Sequence, residues 1–274
     1  MIEKEEEAYA IEEHVITETP AFKVITTIWI ISMMESTRRP ALLDEIKRVG
    51  LTRRVKILLN KGFRKVPKEG VHSTSSDLLH ANKYICRIER DNPLPVCIFE
   101  DDVEFVASGK TIAKRIEHLV LNRTSDPCCR RPPPPSATLG ALIHLGAPSS
   151  LDDTDGIINV FAGANAHAMI YTPAARMILM RLPFSSRPHD LQIYEAVELV
   201  APKWPLAVQR HYRTENSFAY DPTGLFCLIF RLLDSPERPV LAYNVFHCIG
   251  AYCGGTLSLA LVLLSVILAC TLHV

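Results

Sequence analysis

The chain has 274 residues, and its 30 Lys and Arg are balanced by 30 Asp and Glu, so the formal net charge is zero. That balance gives no global field to attract nucleic acid, and no local basic and aromatic stripe supplies one. The length suits one large α/β domain or two small ones with ample core. The eight cysteines include an adjacent pair but no Cys-x-x-Cys. They read neither as a disulfide framework nor as a structural zinc site, and they fit a reducing, cytosolic setting for the body.

Met1 to Glu13 is rich in glutamate and lacks an apolar core, so it reads as a solvated, frayed lead-in rather than a signal peptide. Lys23 to Met33 is β-branched and nearly continuous in apolar residues, the pattern of a buried strand. Ser36 is placed to cap the following helix, with Pro40 in its first turn and Gly50 at its end. Arg54 to Asn60 is a second strand, and Ser75 or Ser76 opens a helix through about Arg90. Asn92-Pro93-Leu94-Pro95 is a turn before a third strand. The strand–helix–strand–helix–strand order predicts an α/β fold with a doubly wound, mostly parallel sheet flanked by helices.

That third strand carries the main chemical signal. Val96-Cys97-Ile98-Phe99 runs straight into Glu100-Asp101-Asp102, with Glu104 two residues later. Adjacent carboxylates repel, and ending a buried strand on three of them is unfavourable without a cation. Mg²⁺ or Mn²⁺ is the usual partner of carboxylate oxygens. Strand alternation would turn Glu100 and Asp102 to one side, as in an acid-x-acid site holding a metal against a diphosphate. The competing reading is a charged turn. In open parallel sheets ligands bind beyond the carboxyl ends of strands, which is where these residues fall.

Further on, Lys110 to Asn122 is a helix and Thr124 to Ser136 a stiff proline-rich loop. Ala137 to Leu145 and Ile157 to Phe161 are strand candidates, separated by the acidic turn Asp152 to Gly156. Ala166 to Tyr171 is a strand, and Thr172-Pro173 starts a helix to about Met180. Leu191 to Leu199 is read as a short helix and Leu206 to Gln209 as a last strand. From Val240 to Val274 there is no Lys, Arg, Asp or Glu. The apolar run from Gly250 to Leu272 is long enough for a single transmembrane helix at the C-terminus, with a buried terminal helix as the alternative. The expected organisation is an acidic, disordered lead-in (1–20), a catalytic domain (21–220), a linker (221–245) and a membrane anchor (246–274). The body would then lie on the cytosolic side.

Four segments in order resemble glycosyltransferase family 25, the lipo-oligosaccharide and procollagen galactosyltransferase type. They are Ile28 to Ala41, Phe99 to Val103, His167 to Tyr171 leading into Pro173-Ala174-Ala175, and His189-Asp190-Leu191. The resemblance implies a GT-A-type fold and an inverting, often Mn²⁺-dependent transferase that uses a nucleotide sugar. The donor would be a UDP-sugar, with galactose or glucose to the fore. The C-terminal position of the apolar segment and the proline-rich loop depart from the family pattern, so the acceptor does not carry over; it would be a glycan, a protein or a lipid-linked hydroxyl.

On this reading Glu100 and Asp102 hold Mn²⁺ or Mg²⁺, with Asp101 assisting. Arg38 and Arg39 are placed for nucleotide phosphates, where a guanidinium forks onto oxygen pairs; the alternative is a solvent-exposed arginine pair. His167 completes the metal shell or touches the phosphates, unless it is a satisfied core histidine. By the resemblance, Asp190 is the general base for the acceptor hydroxyl, a role worth about 10²–10⁴-fold; its alternative is a helix cap. Gln209 and Asn216 are lesser candidates for sugar hydroxyls. Rival functions are a metal-dependent phosphohydrolase and a catalytically inactive, membrane-tethered interaction module.

Overall fold

The computed structural model describes residues 7–125, 141–144, 157–159, 168–185, 192–193, 196–202 and 206–209. The expected membrane anchor, the linker, residues 126–136 of the proline-rich loop, His167, Asp190 and Asn216 lie outside them, while Thr124 and Ser125 belong to a helix. Among the described residues no helix is long and apolar enough to cross a membrane.

The elements are β1 (Tyr9–Val15), β2 (Thr27–Met33), α1 (Arg39–Val49), β3 (Arg54–Asn60), α2 (Thr74–Ile88), β4 (Val96–Glu100), β5 (Val103–Phe105) and α3 (Gly109–Ser125). They continue with β6 (Ala141–His144), β7 (Ile157–Asn159), β8 (Ala168–Tyr171), α4 (Pro173–Arg181), β9 (Glu198–Pro202) and β10 (Ala207–Gln209). Eight strands form one sheet in the order β1-β3-β2-β4-β8-β6-β9-β7, while β5 and β10 form a separate antiparallel pair.

The central trio β3-β2-β4 is parallel, as the element order predicts. Its flanks are not: β1 runs antiparallel to β3, and β8 runs antiparallel to both β4 and β6. The parallel core thus has an antiparallel strand on each side of it. Alternation along β2 explains the layers. Ile28 and Ile30 pack with Val55, Ile57, Cys97 and Phe99 under Leu42 and Ile46 of α1 and Ile112 and Ile116 of α3. Trp29 and Ile31 face the other way, toward Leu79 and Ile85 of α2 and Ala175 and Leu179 of α4. A strand covered on both faces has to be apolar at successive positions, and Ile28 through Ile31 are all buried.

Four local expectations change. The frayed lead-in becomes a strand from Tyr9, paired with β3 through Val15↔Arg54. Its acidic side chains are those of an edge strand whose Glu12 and Glu13 stay exposed, a composition that discourages further pairing. Ser36 does not cap α1: Arg38 occupies that position without a side-chain cap, and Ser36 Oγ instead accepts from the Arg38 N–H at 3.3 Å. The cap of α2 is Ser73, in a reciprocal capping box with Ser76. The helix expected over Leu191 to Leu199 gives way to β9 at Glu198, which pairs in parallel with β6. Gly50 ends α1 as read, at φ 57° with its N–H on the Ile46 carbonyl.

Candidate functional site

Register places the acidic residues beside the end of β2. Ile31 pairs with Glu100, the last residue of β4. The next residue on β2, Ser32, donates its hydroxyl to Asp101 Oδ2 at 2.7 Å. Asp101 Oδ1 receives Arg38 Nη2 at 2.8 Å, and Asp102 Oδ2 lies 3.5 Å from Arg38 Nη1. Asp101 and Asp102 are only 6% and 4% exposed. The cation that three consecutive carboxylates require is thus supplied first by the chain itself, as one guanidinium spread over two neighbouring carboxylates.

The strand-alternation argument does not extend through this site. β4 ends at Glu100, Asp101 and Asp102 form a turn, and β5 starts at Val103. Side-chain parity holds within a strand and is lost in the turn, which is why Asp101 and Asp102 both meet Arg38 despite being adjacent.

Helix α1 fixes both sides of that turn. Arg38 sits at its N-terminus. One turn from its other end, Glu45 Oε1 accepts from the Phe105 N–H at 2.7 Å and Arg48 Nη2 donates to the Phe105 carbonyl at 2.6 Å. Arg48 also forks onto both Glu45 oxygens. Phe105 then meets Phe99 edge-on with ring centres 5.5 Å apart. β5 is paired in turn with β10, which sets Gln209 opposite Val103, the residue following Asp102.

The candidates divide accordingly. Arg38, Asp101 and Asp102 are brought together, and Glu100 adjoins them at the strand end. Arg39 turns away: its Nη2 donates to the Met34 carbonyl at 2.8 Å and its Nη1 lies 4.0 Å from Glu12. Ala168, which follows His167 in sequence, pairs with Phe99, which precedes Glu100. Ser32 was not singled out by sequence reasoning, although a lone hydroxyl closing the run Ile28 to Ile31 is a readable signal. Glu45 and Arg48 carried an i,i+3 pairing signal but nothing to show that they would clamp another strand.

Among the described residues no three His, Cys, Asp or Glu side chains gather as a metal cage. The donor chemistry nevertheless suits Mg²⁺ or Mn²⁺ of the substrate-bridged kind. Such ions use one or two carboxylates and take their other oxygens from water and phosphate. Asp101 has each oxygen engaged, at 2.7 and 2.8 Å, and Asp102 lies 3.5 Å from Arg38.

No family model and no curated protein matches the chain. Among solved structures it is similar to apo UDP-glucose pyrophosphorylase, at 10% identity over 66% of this chain and 74% of that one, with a TM-score of 0.32. A likeness that distant assigns neither substrate nor reaction.

A second buried polar cluster lies at the end of β3. Lys68 Nζ donates to Asn60 Oδ1 at 2.6 Å and pairs with Asp77, and it lies 4.5 Å from the centre of the Tyr9 ring. Burial lowers the Lys68 pKa, against the opposing pull of Asp77. Asp77 also accepts from Asn60 at 3.1 Å and from the Phe63 N–H at 3.2 Å. These groups satisfy one another, and the cluster ties the loop after β3 to the first turn of α2.

Proposed function

We propose that the chain is a metal-assisted glycosyltransferase that moves a sugar from a UDP-sugar to an acceptor hydroxyl with inversion. Galactose or glucose is the sugar that the motif resemblance favours. The observation that supports this reading best is the acidic turn at the carboxyl end of parallel strand β4, held by Ser32 and faced by Arg38. A diphosphate leaving group needs positive charge at such a turn, and strand ends of this kind are where open sheets bind ligands.

Glu100 and Asp102 would hold Mn²⁺ or Mg²⁺, which supplies Lewis-acid stabilisation of the departing diphosphate when bound. Asp101 positions Arg38, and Arg38 orients phosphate oxygens. Asp190 would take the proton of the acceptor hydroxyl, and His167 would touch the phosphates or complete the metal shell. The acceptor is a glycan, protein or lipid-linked hydroxyl, and the C-terminal apolar segment holds the body on the cytosolic face of a membrane.

Calorimetric titration of the full chain with UDP, with and without Mn²⁺, tests the donor site. The expected result is UDP binding that strengthens with Mn²⁺ and is lost in Asp102→Asn. Absence of UDP binding from folded protein under both conditions, or phosphate release from simple esters in place of it, would overturn the reading.

A further inference from the structure

We infer that the outer edge of β1 is a self-complementary interface, through which two copies of the chain pair antiparallel about a two-fold axis at Glu13 and join their sheets. The inference is independent of the donor-site reading and concerns the other end of the parallel core.

β1 stands first in the sheet order, with β3 as its one neighbour among the described residues. The Ile16 N–H donates to the Arg53 carbonyl at 2.8 Å, and the Lys61 N–H donates to the Ala8 carbonyl at 3.1 Å. Antiparallel ladders alternate, so even-numbered residues of β1 bond β3, and the backbone groups of Ile11, Glu13 and Val15 point to the outer edge. The same stretch carries large apolar exposure, with Ile11 48% and Val15 56% exposed. Both stand on the α2 face of the sheet, because they are in step with Tyr9, whose ring stacks on His80 and Tyr84. Ile88, 43% exposed, is the next residue on that ridge of α2. Three of the four large exposed apolar side chains among the described residues thus border one edge.

A partner here has to bring strand backbone, apolar side chains on the α2 face and a hydrogen-bond donor on the other. Glu12 and Glu13 discourage strands that lack that donor. β1 itself meets these conditions in one register. With Glu13 opposite Glu13 of the second copy, Ile11 falls opposite Val15 of that copy and Glu12 opposite its His14, each twice by symmetry. The Ile–Val pairs extend the apolar strip beside α2. The Glu–His pairs fall on the other face at non-hydrogen-bonded positions, where opposed side chains come closest. Within one strand His14 Nε2 already reaches Glu12 Oε2 at 3.4 Å. The remaining pair, Glu13 against Glu13, is eased because each carboxylate keeps Arg54 at 3.0 Å. Sliding one strand by two residues sets Ile11 against Glu13 and Glu12 against Glu12, and both complementary pairs are lost. A seam this short supports a weak, reversible dimer.

The test is sedimentation velocity on the full chain in detergent micelles, at concentrations from ~1 to ~100 μM. The expected result is a monomer–dimer equilibrium. Glu13→Pro removes an outward N–H and leaves the ladder to β3 intact, a place where an edge strand tolerates proline. It should raise the dimer dissociation constant about tenfold or more. If Glu13→Pro folds poorly, Val15→Asp replaces it, since it sets a carboxylate against Ile11 of the second copy from an exposed position and should weaken the dimer likewise. Oxidation reads the register. Directly opposed residues lie ~5.5 Å apart at Cα, within disulfide reach. Glu13→Cys should therefore form a disulfide-linked dimer above the wild-type background, and Ile11→Cys should not. A monomer at every concentration overturns the inference, as does a dimer that Glu13→Pro and Val15→Asp leave unchanged. Cross-linking of Ile11→Cys as readily as Glu13→Cys overturns it too.

Discussion

Ser32 and His80 show what single side chains contribute. Ser32 is 2% exposed and its hydroxyl is committed to a carboxylate that also holds Arg38. Removing a buried donor to a charged acceptor costs about 2 kcal/mol. Ser32→Ala should therefore lose roughly that amount in urea unfolding at pH 7 with an unchanged m-value; a loss below about 0.3 kcal/mol would show that Asp101 does not depend on it. His80, on α2, hydrogen-bonds the Tyr9 hydroxyl through Nδ1 at 2.8 Å and stacks on Phe184. Burial pushes its pKa down to about 4, and the neighbouring cations Lys68, Arg87 and Lys83 push the same way against Asp77. The unfolded chain therefore takes up a proton on this ring that the folded chain refuses. Its contribution to stability is complete above about 6.5 and is lost as pH falls toward about 4. The loss is on the order of 3 kcal/mol. His80→Asn, which keeps a polar group within reach of Tyr9, should flatten the stability profile over that interval. An unchanged slope in denaturant melts at pH 4.5, 5.5 and 6.5 would contradict the assignment.

At the scale of elements, two contacts decide how helices seat. A methyl group built on Gly109 would overlap the Val49 carbonyl oxygen, so the start of α3 meets the end of α1 at a point with room for a hydrogen only. Gly109→Ala should cost about 2 kcal/mol by displacing one helix from the other. A thermal melt within error of wild type would show that the approach can relax. Arg176, on α4, is 1% exposed and donates to the carbonyls of Leu94, Tyr171 and Asn92. It is the link between α4 and the turn that feeds β4. Arg176→Leu should lose at least about 3 kcal/mol, because three carbonyls are left without their donor; a loss under 1 kcal/mol would contradict that role. The sequence made α4 easy to place through Thr172 and Pro173, and Thr172 does accept from the Ala175 N–H at 3.2 Å. The same reasoning could not see that Arg176 turns inward, since an arginine on a helix is ordinarily read as solvated.

At the scale of the molecule, the parallel core was legible because burial on both faces leaves a continuous apolar run, as in Ile28 to Ile31 and Val96 to Phe99. The antiparallel flanks were not, because strand direction is set by connections and partners rather than by composition. β1 was hidden by its glutamates, whose exposure is a property of an edge position that only the assembled sheet reveals. The helix read over Leu191 to Leu199 runs into β9 because pairing with β6 outweighs the local spacing. At the candidate site, the sequence marked Glu100 to Asp102 as needing a cation, and charge repulsion alone was enough for that. It could not show that Arg38, seven residues beyond the end of the Ile28–Ile31 run, would return to meet them, or that Arg39 beside it would turn the other way.

The central claim is that this turn serves a nucleotide-sugar donor, and the most direct measurement is UDP release by the full chain from UDP-galactose and UDP-glucose. It should be followed with Mn²⁺ and with chelator, for wild type and Asp102→Asn. The account predicts Mn²⁺-dependent release from at least one donor, reduced by ~100-fold or more in Asp102→Asn. Release that ignores both the metal and the substitution, or no release from folded protein, would contradict it.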